Sequence, residues 1–415
     1  MRGNAFVPFM LKRGDGSTLS LDFASMGELD SRFTFTRNSI ATYTNSSGIV
    51  TSVTAAATND PSKARFDYDP TTLTARGLLI EGSATNICTR SEDFANAVWV
   101  VDNGSATNPS VSVVSQSAPN GGSSVNRITF NKTGGTFSRI RQTLVGTSGA
   151  TYTLSVWMKA NTANGAAATQ NVGLRIGADT GGLNCAVTTT WQRFSYSYSL
   201  SGTDASAQIM LWDNIAGNDE TADVLVWGAQ IEAASGATSY IPTGSSTVQR
   251  AADSCSMTGT NFSSWYGSPT AFSMLLEGIA QISANYGRVL CLSSGANTTS
   301  GIPNFNLGLS AATSNRPFIN AYIVANNNID TYAPAGAALT NGVPFKIGVR
   351  HQTSSHYITR GTSLGATNPY AGFAAGLANL YFGITDGSTH RSVHYTRVKF
   401  WPFALSNAQL DAFAT

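Results

Sequence analysis

The feature that most constrains this chain is strict two-residue alternation carried by uncharged residues. Phe194-Ser-Tyr-Ser-Tyr-Ser-Leu200 sets Phe194, Tyr196, Tyr198 and Leu200 on one side of an extended backbone and serines on the other. Only a strand gives that run one buried face and one wet face. The period recurs. Tyr152, Leu154, Val156 and Met158 alternate with Thr153, Ser155, Trp157 and Lys159, and Leu225, Trp227, Ala229 and Ile231 read as a third apolar row. Turn signals fall at Asn120-Gly-Gly122, Thr133-Gly-Gly135 and Thr180-Gly-Gly182. Strands at this spacing predict an antiparallel β-sandwich in the middle of the chain.

Composition narrows the function classes. Only 12% of the 415 residues are charged, about half the ~25% of an ordinary soluble domain, while 42% are hydrophobic. The chain can build cores, and its poverty in Glu and Lys argues against long helices and charge-driven disorder. A net charge of +2 gives no dense basic stripe for nucleic acid. No apolar run approaches the ~18 residues of a membrane span. Met1 to Met10 lacks the long apolar stretch and small-residue cleavage site of a signal peptide. Cys88, Cys185, Cys255 and Cys291 are singly placed, so isolated buried thiols are expected rather than a zinc site.

The chain divides into three regions. Residues 1–85 are an irregular opening with short alternating pieces, Leu19–Phe23 and Phe33–Arg37, too poor in apolar faces to fold alone. Residues 86–253 hold the sandwich described above. Residues 254–415 give a second strand set: 271–277, 288–292, 305–309, 318–322, 345–350, 380–384 and 393–401. The closing Ser406–Phe413 reads as a helix, with Ser406 as N-cap and Leu410 and Phe413 on one face.

Gly77-Leu-Leu-Ile-Glu81, Thr85-Asn86, Ser91-Glu-Asp-Phe94 and Trp99 resemble a module of tailed-bacteriophage structural proteins, found in tail fibres, tail spikes and head-spike fibres. Phe33–Arg37, Ala41–Tyr43, Gly48 and Arg65-Phe-Asp-Tyr68 match its usual preamble. Leu154–Lys159, Trp191–Phe194, Trp227–Glu232 and Tyr240-Ile-Pro-Thr243 match the rest of the module. The resemblance covers about residues 30–253. It implies a jelly-roll fold similar to carbohydrate-binding domains. Leu380–Ile384, Val393–Trp401 and Ala404–Leu410 resemble, more loosely, a concanavalin A-like (laminin-G-like) lectin domain. The expected architecture is therefore all-β: two antiparallel sandwiches, a jelly roll and a concanavalin A-like domain, after an N-terminal virion-attachment segment. The resemblance implies a protein of the virion surface, assembled in the host cytoplasm. Its partners would be other capsid or tail proteins, host-surface polysaccharide and copies of itself, often as a trimer.

Catalysis finds little support in the residues. Retaining glycosidases need two carboxylates about 5–5.5 Å apart. Residues 256–415 hold four acids, Glu277, Asp330, Asp386 and Asp411, all far apart in sequence. No Gly-x-Ser-x-Gly elbow or phosphate-binding glycine loop occurs. The expectation is a chain without catalytic residues and with no required cofactor.

Binding chemistry finds more. Asp213, Asp219, Glu220 and Asp223 cluster as a solvated hairpin or as oxygen ligands for calcium. Related jelly rolls place a structural calcium between the first strand and an Asp opening the last. That resemblance points to Glu92, Asp93 and Asp223. Aromatic rings stack on sugar C–H faces, with amides and acids beside them for the hydroxyls. Trp212, Asp213 and Asn214 are the best such cluster. Tyr370 and His390 lie in expected loops, where recognition residues concentrate. The four histidines, His351, His356, His390 and His394, otherwise read as surface polar residues. Eight Lys/Arg against four Asp/Glu after residue 255 suggest either an acidic polysaccharide partner or weak steering between subunits. The rival reading is a capsid or tail spacer that binds no glycan.

Overall fold

The computed structural model describes residues 14–162, 165–281, 287–295, 303–310, 315–324, 327–353, 355–361, 364–369, 372–383 and 392–415. Tyr370, His390 and Asp386 lie outside them. The fold is all-β, built from antiparallel sheets in two sandwiches. No helix among the described residues is long and apolar enough to cross a membrane.

The middle sandwich packs two five-stranded sheets. One runs Gln192–Ser199, Thr151–Ala160, Thr221–Glu232, Ser124–Asn131, Thr107–Ser115. The other runs Leu183–Val187, Gln170–Ile176, Ala207–Trp212, Phe137–Gln142, Val100–Asn103. Leu154, Val156, Met158, Ile140, Leu174 and Ile209 meet in the core between them. Phe194, Tyr196 and Tyr198 pack against that core while Ser195, Ser197 and Ser199 face water, as the alternation requires.

One alternating row breaks. Leu225 and Trp227 share a face with Trp157, but Ala229 and Ile231 lie in the main core with Val224 and Val226. The pairing of Thr151–Ala160 with Thr221–Glu232 shifts register between Ser155 and Trp157, and Gly228 takes φ +66°. An extra residue in one strand flips every later side chain to the other face. The flip buries both faces of Thr221–Glu232. Its outer face carries Trp157, Trp227 and Tyr240, whose ring centroids lie 4.7–5.3 Å apart.

The opening segment is not a separate attachment unit. Leu19–Asp22 and Ala75–Ile80 both pair with Val393–Trp401, and Arg65–Tyr68 extends the same eight-stranded sheet. Thr34–Thr36 joins the facing seven-stranded sheet through Ser254–Thr258. The second sandwich therefore combines strands from residues 19–80 with strands from 254–401, and the middle sandwich is inserted between them. Leu19, Leu21, Phe23, Phe33 and Leu78 supply its core alongside Leu276, Val349 and Phe400. Residues 1–13 lie outside the description.

The strands expected after residue 254 occur, several of them longer. Ser355–Thr359, Ala366–Pro369 and Asn327–Tyr332 add to them. A short helix, Thr260–Tyr266, is not legible in the sequence: Gly259 caps it without a side chain, and Phe262, Trp265 and Tyr266 are all buried. The closing helix spans Asn407–Ala414, with Ser406 and Gln409 forming a reciprocal capping box. Leu410 is buried, and Phe413 stacks on Trp401 at 5.2 Å.

A buried ionic knot joins the pieces. Arg65 donates to Glu81 at 2.7 Å and to Asp253 at 2.5 Å, Arg37 donates to Asp253 at 3.0 Å, and Arg250 lies 3.5 Å from Glu81. Every one of these side chains is at most 1% exposed. The Glu81 amide donates to Asp253, and Ser239 donates both its amide and its hydroxyl to Glu81. The knot ties the opening segment to both linkers of the inserted sandwich.

Two histidines correct the surface reading. His351 and His356 are fully buried and share an Nδ1···Nε2 hydrogen bond of 2.8 Å. His351 Nε2 also accepts from the Ala374 amide at 2.9 Å, so His351 keeps its proton on Nδ1 and donates it to His356. Burial holds His356 at about 4, and burial plus the neighbouring His356 hold His351 well below 6.5. Both are neutral in the fold, while the unfolded chain binds protons near pH 6.5. Stability is therefore full above about pH 7 and falls as pH drops through 6.5 toward 4. The expected slope is up to about 1.4 kcal/mol per pH unit for each ring. Urea midpoints at pH 7, 6 and 5 check this; a flat series would count against it.

Candidate functional site

The outward face of the sheet that ends in Val100–Asn103 carries a cluster of charged side chains, Asp102, Arg139, Arg141 and Arg175. Phe137-Ser-Arg-Ile-Arg-Gln142 alternates, with Ser138, Ile140 and Gln142 turned inward and buried. Phe137, Arg139 and Arg141 therefore point outward. Pairing sets Phe137 opposite Trp212, Arg139 opposite Met210 and Asp102, and Arg141 opposite Gln208. Arg175 lies opposite Gln208 from the other side.

These side chains form one bonded platform. Arg139 pairs with both oxygens of Asp102, and Arg141 Nε reaches Asp102 Oδ2 at 3.0 Å. Gln208 Oε1 accepts from Arg139 at 3.1 Å and from Arg175 at 3.0 Å. Gln208 is itself fixed by donating to the Gly177 carbonyl at 2.8 Å. Arg139 lies over the Phe137 ring and Arg175 over the Trp212 ring, each 4.6 Å from the centroid. Two guanidiniums thus share the Asp102 carboxylate, while Arg175 donates to the Asp179 carbonyl at 2.6 Å and has the charges of Asp179 and Asp204 near it. Burial opposes the Asp102 charge, yet hydrogen bonds from Arg139 and Arg141 hold it below the usual carboxylate range. Burial, then the charge of Arg139, push Arg175 below its ordinary value. Like charges are crowded here, and an incoming anion would relieve them.

Trp212 is half-buried, and Arg175 covers one face of its indole. The structure presents a guanidinium–aromatic stack where a bare sugar-stacking ring was expected. Asp213 and Asn214 follow it in an exposed turn. Asp213 and Glu220 each lie 2.7 Å from Lys132, a surface clamp. The turn folds back over the sheet, where Asn218 donates to Asn184 and Asp219 accepts from Asn171.

The acids proposed for calcium do not converge. Asp223 is held by Arg127 at 2.9 and 2.6 Å and accepts from Asn161. Glu92 accepts from the Tyr240 hydroxyl at 3.0 Å, and burial raises its pKa. Asp93 takes a long bond from Asn96. No group of three or more His, Cys, Asp or Glu able to hold a metal occurs among the described residues. Asp223 is neutralised by Arg127, while Glu92 and Asp93 are engaged by the Tyr240 hydroxyl and the Asn96 amide. The cysteines are all free and buried.

No protein-family model matches the chain, and no curated protein matches it in sequence. Solved structures give likenesses. A Ruminococcus gnavus IT-sialidase CBM40 bound to α2,3-sialyllactose is 14% identical, with 35% of this chain and 82% of that one covered and a TM-score of 0.29. A leech intramolecular trans-sialidase complexed with 2,7-anhydro-Neu5Ac is 15% identical over 35% of this chain and 23% of that one, TM-score 0.30. The bacteriophage CBA120 tailspike protein 2 enzymatically active domain is 16% identical over 35% and 24%, TM-score 0.28. These likenesses correct one expectation. The residues alone argue against an enzyme, yet sialidases and a tailspike enzymatic domain are among the similar structures, so that exclusion does not stand.

Proposed function

We propose that the chain is a fibre or spike protein on the surface of a phage or phage-like virion, and that its middle sandwich binds acidic host-surface polysaccharide. The observation that carries the binding is the platform: Arg139 and Arg141 on the single carboxylate of Asp102, with Arg175 joined to Arg139 through Gln208, flanked by Phe137 and Trp212. Guanidiniums bind carboxylates in planar, two-pronged fashion. Here they are pre-aligned on a rigid sheet, which limits the ordering cost of binding. The virion role rests on the sequence resemblance alone.

A spacer reading draws support from a different observation. Arg37, Arg65, Glu81, Asn86 and Tyr240, all within the matching motifs, are buried and hold the fold together. What the motifs encode is architecture.

The test is retention of the full chain on acidic and neutral polysaccharides at rising salt. The chain is expected to bind uronate- or sialate-containing polymers, and more weakly as salt screens the arginines. The double variant Arg139→Gln, Arg175→Gln should lose at least about tenfold in affinity, since a charge-assisted hydrogen bond contributes about 1.5–3 kcal/mol. Equal binding to neutral polymers would overturn the arginine platform as the site, and binding to none would move the reading to the spacer.

A further inference from the structure

A cavity of about 410 Å³ lies between the two sandwiches. That is within the roughly 300–1,000 Å³ of small-ligand sites. One wall is the start of strand Gln192–Ser199, with Trp191 just before it and Arg193 within it. The opposite wall is Tyr43, Asp67 and His394 from the second sandwich and its opening strands. The remaining lining mixes hydroxyls and amides, among them Thr44, Thr71, Gln192 and Gln281, with the apolar Val50, Pro70 and Leu79.

The charges of this cleft are unevenly matched. Asp67 is paired with His394 at 2.8 Å, Asp69 with Arg76 at 2.7 Å, and Glu81 belongs to the buried knot. Arg193 has no carboxylate within 4 Å among the described residues. Its Nη1 donates to the Thr238 carbonyl at 2.8 Å and its Nη2 to Ser155 Oγ at 2.9 Å. Its plane lies over Trp157, 4.4 Å from the ring centroid. Glu232 accepts from the amide and hydroxyl of the same Thr238, and burial raises its pKa against the opposing Thr238 and Gln230 hydrogen bonds and the Arg193 charge. The acids of the cleft thus have close partners, whereas the half-buried Arg193 guanidinium has neutral acceptors and only the more distant charges of Glu232, Glu81 and Asp67.

We propose that this inter-sandwich cleft is a second binding site, for the carboxylate of an acidic sugar: Arg193 takes the carboxylate, and Trp191 and Tyr43 flank the ring. The hydroxyl and amide lining suits sugar hydroxyls. Trp191 is pre-set by its indole N–H, which donates to the Ser117 carbonyl at 2.7 Å. The site is independent of the arginine platform, which lies on the other sheet of the middle sandwich.

Trp157 and Trp191 make the cleft its own reporter. The experiment titrates the full chain with D-glucuronate, and with D-glucose at matched ionic strength, following tryptophan emission. Glucuronate should shift the emission saturably and glucose should not. The platform variant Arg139→Gln, Arg175→Gln should keep this response, whereas Arg193→Gln should weaken it at least about tenfold. Because Arg193 also braces Thr238, Tyr43→Ala on the facing wall is run in parallel and should weaken it as well, with an unchanged melting temperature. The proposal is overturned by a response that survives both cleft variants, by an equal response to glucose, or by no response in the wild-type chain. Loss confined to the platform variant would retire the cleft and leave the platform reading in place.

Discussion

Replacing Asp253 by alanine is expected to cost about 3–5 kcal/mol, the range for breaking a buried ion pair from one side. Asp253 accepts from Arg37 and Arg65 and from the Glu81 amide, with no water available to replace it. Its removal leaves Arg37, Arg65 and Arg250 facing Glu81 alone, three buried cations on one anion. The cost comes from stranding those charges rather than from the attraction lost. The half-buried surface pair Asp30–Arg32, at 20% and 32% side-chain exposure, is the internal control. Arg32→Ala should cost under about 1 kcal/mol. Urea unfolding of both variants at pH 7.5 checks the contrast, and similar small losses in the two would show that the knot is not stabilising. Burial works against the Glu81 charge, but Arg250 and Arg65 hold its carboxyl far below the usual range. That contribution is present above about pH 4.5 and is lost only in strong acid, so the softening between pH 6.5 and 4 belongs to His351 and His356.

The knot also shows what a sequence can and cannot disclose. Arg37 and Asp253 are 216 residues apart, and Arg65 and Asp253 are 188 apart. No local periodicity links them, and only the ordered motif matches mark them as special. Alternation is a local property, so the strands of the middle sandwich are legible from Phe194–Leu200 and Tyr152–Lys159. It fails at Gly228, where a bulge reverses the faces within one strand. It marks Leu19–Asp22 and Thr34–Thr36 as strands but cannot show their partners, Val393–Trp401 and Ser254–Thr258, hundreds of residues away. Trp212 stands out in the sequence for its acidic and amide neighbours, yet its working neighbours come from other strands. A signal for them is present: Phe137, Arg139 and Arg141 alternate with Ser138, Ile140 and Gln142, which places both arginines and an aromatic ring on one exposed face.

The Gly77 position tests whether the opening strands are integral to the second sandwich. Gly77 takes φ +88°, where a Cβ would lie 2.1 Å from the Tyr395 carbonyl oxygen and 3.0 Å from its carbon. Both are backbone atoms, so no rotamer change can relieve the contact. Gly77→Ala must push Ala75–Ile80 away from Val393–Trp401, and Leu78, Ile80 and Glu81 move with it. Left-handed strain adds about 1–2 kcal/mol and overpacking about 1–3 kcal/mol, for an expected loss of roughly 2–5 kcal/mol. Gly134 has a similar φ of +79° but open space around it, so Gly134→Ala carries the strain alone. The two variants separate crowding from conformation. Because the middle sandwich has its own core, Gly77→Ala should melt the second sandwich first and turn a single thermal transition into two. Equal melting curves for the two variants would mean that Ala75–Ile80 can leave the sheet without consequence. The opening segment would then be an appendage rather than part of the fold.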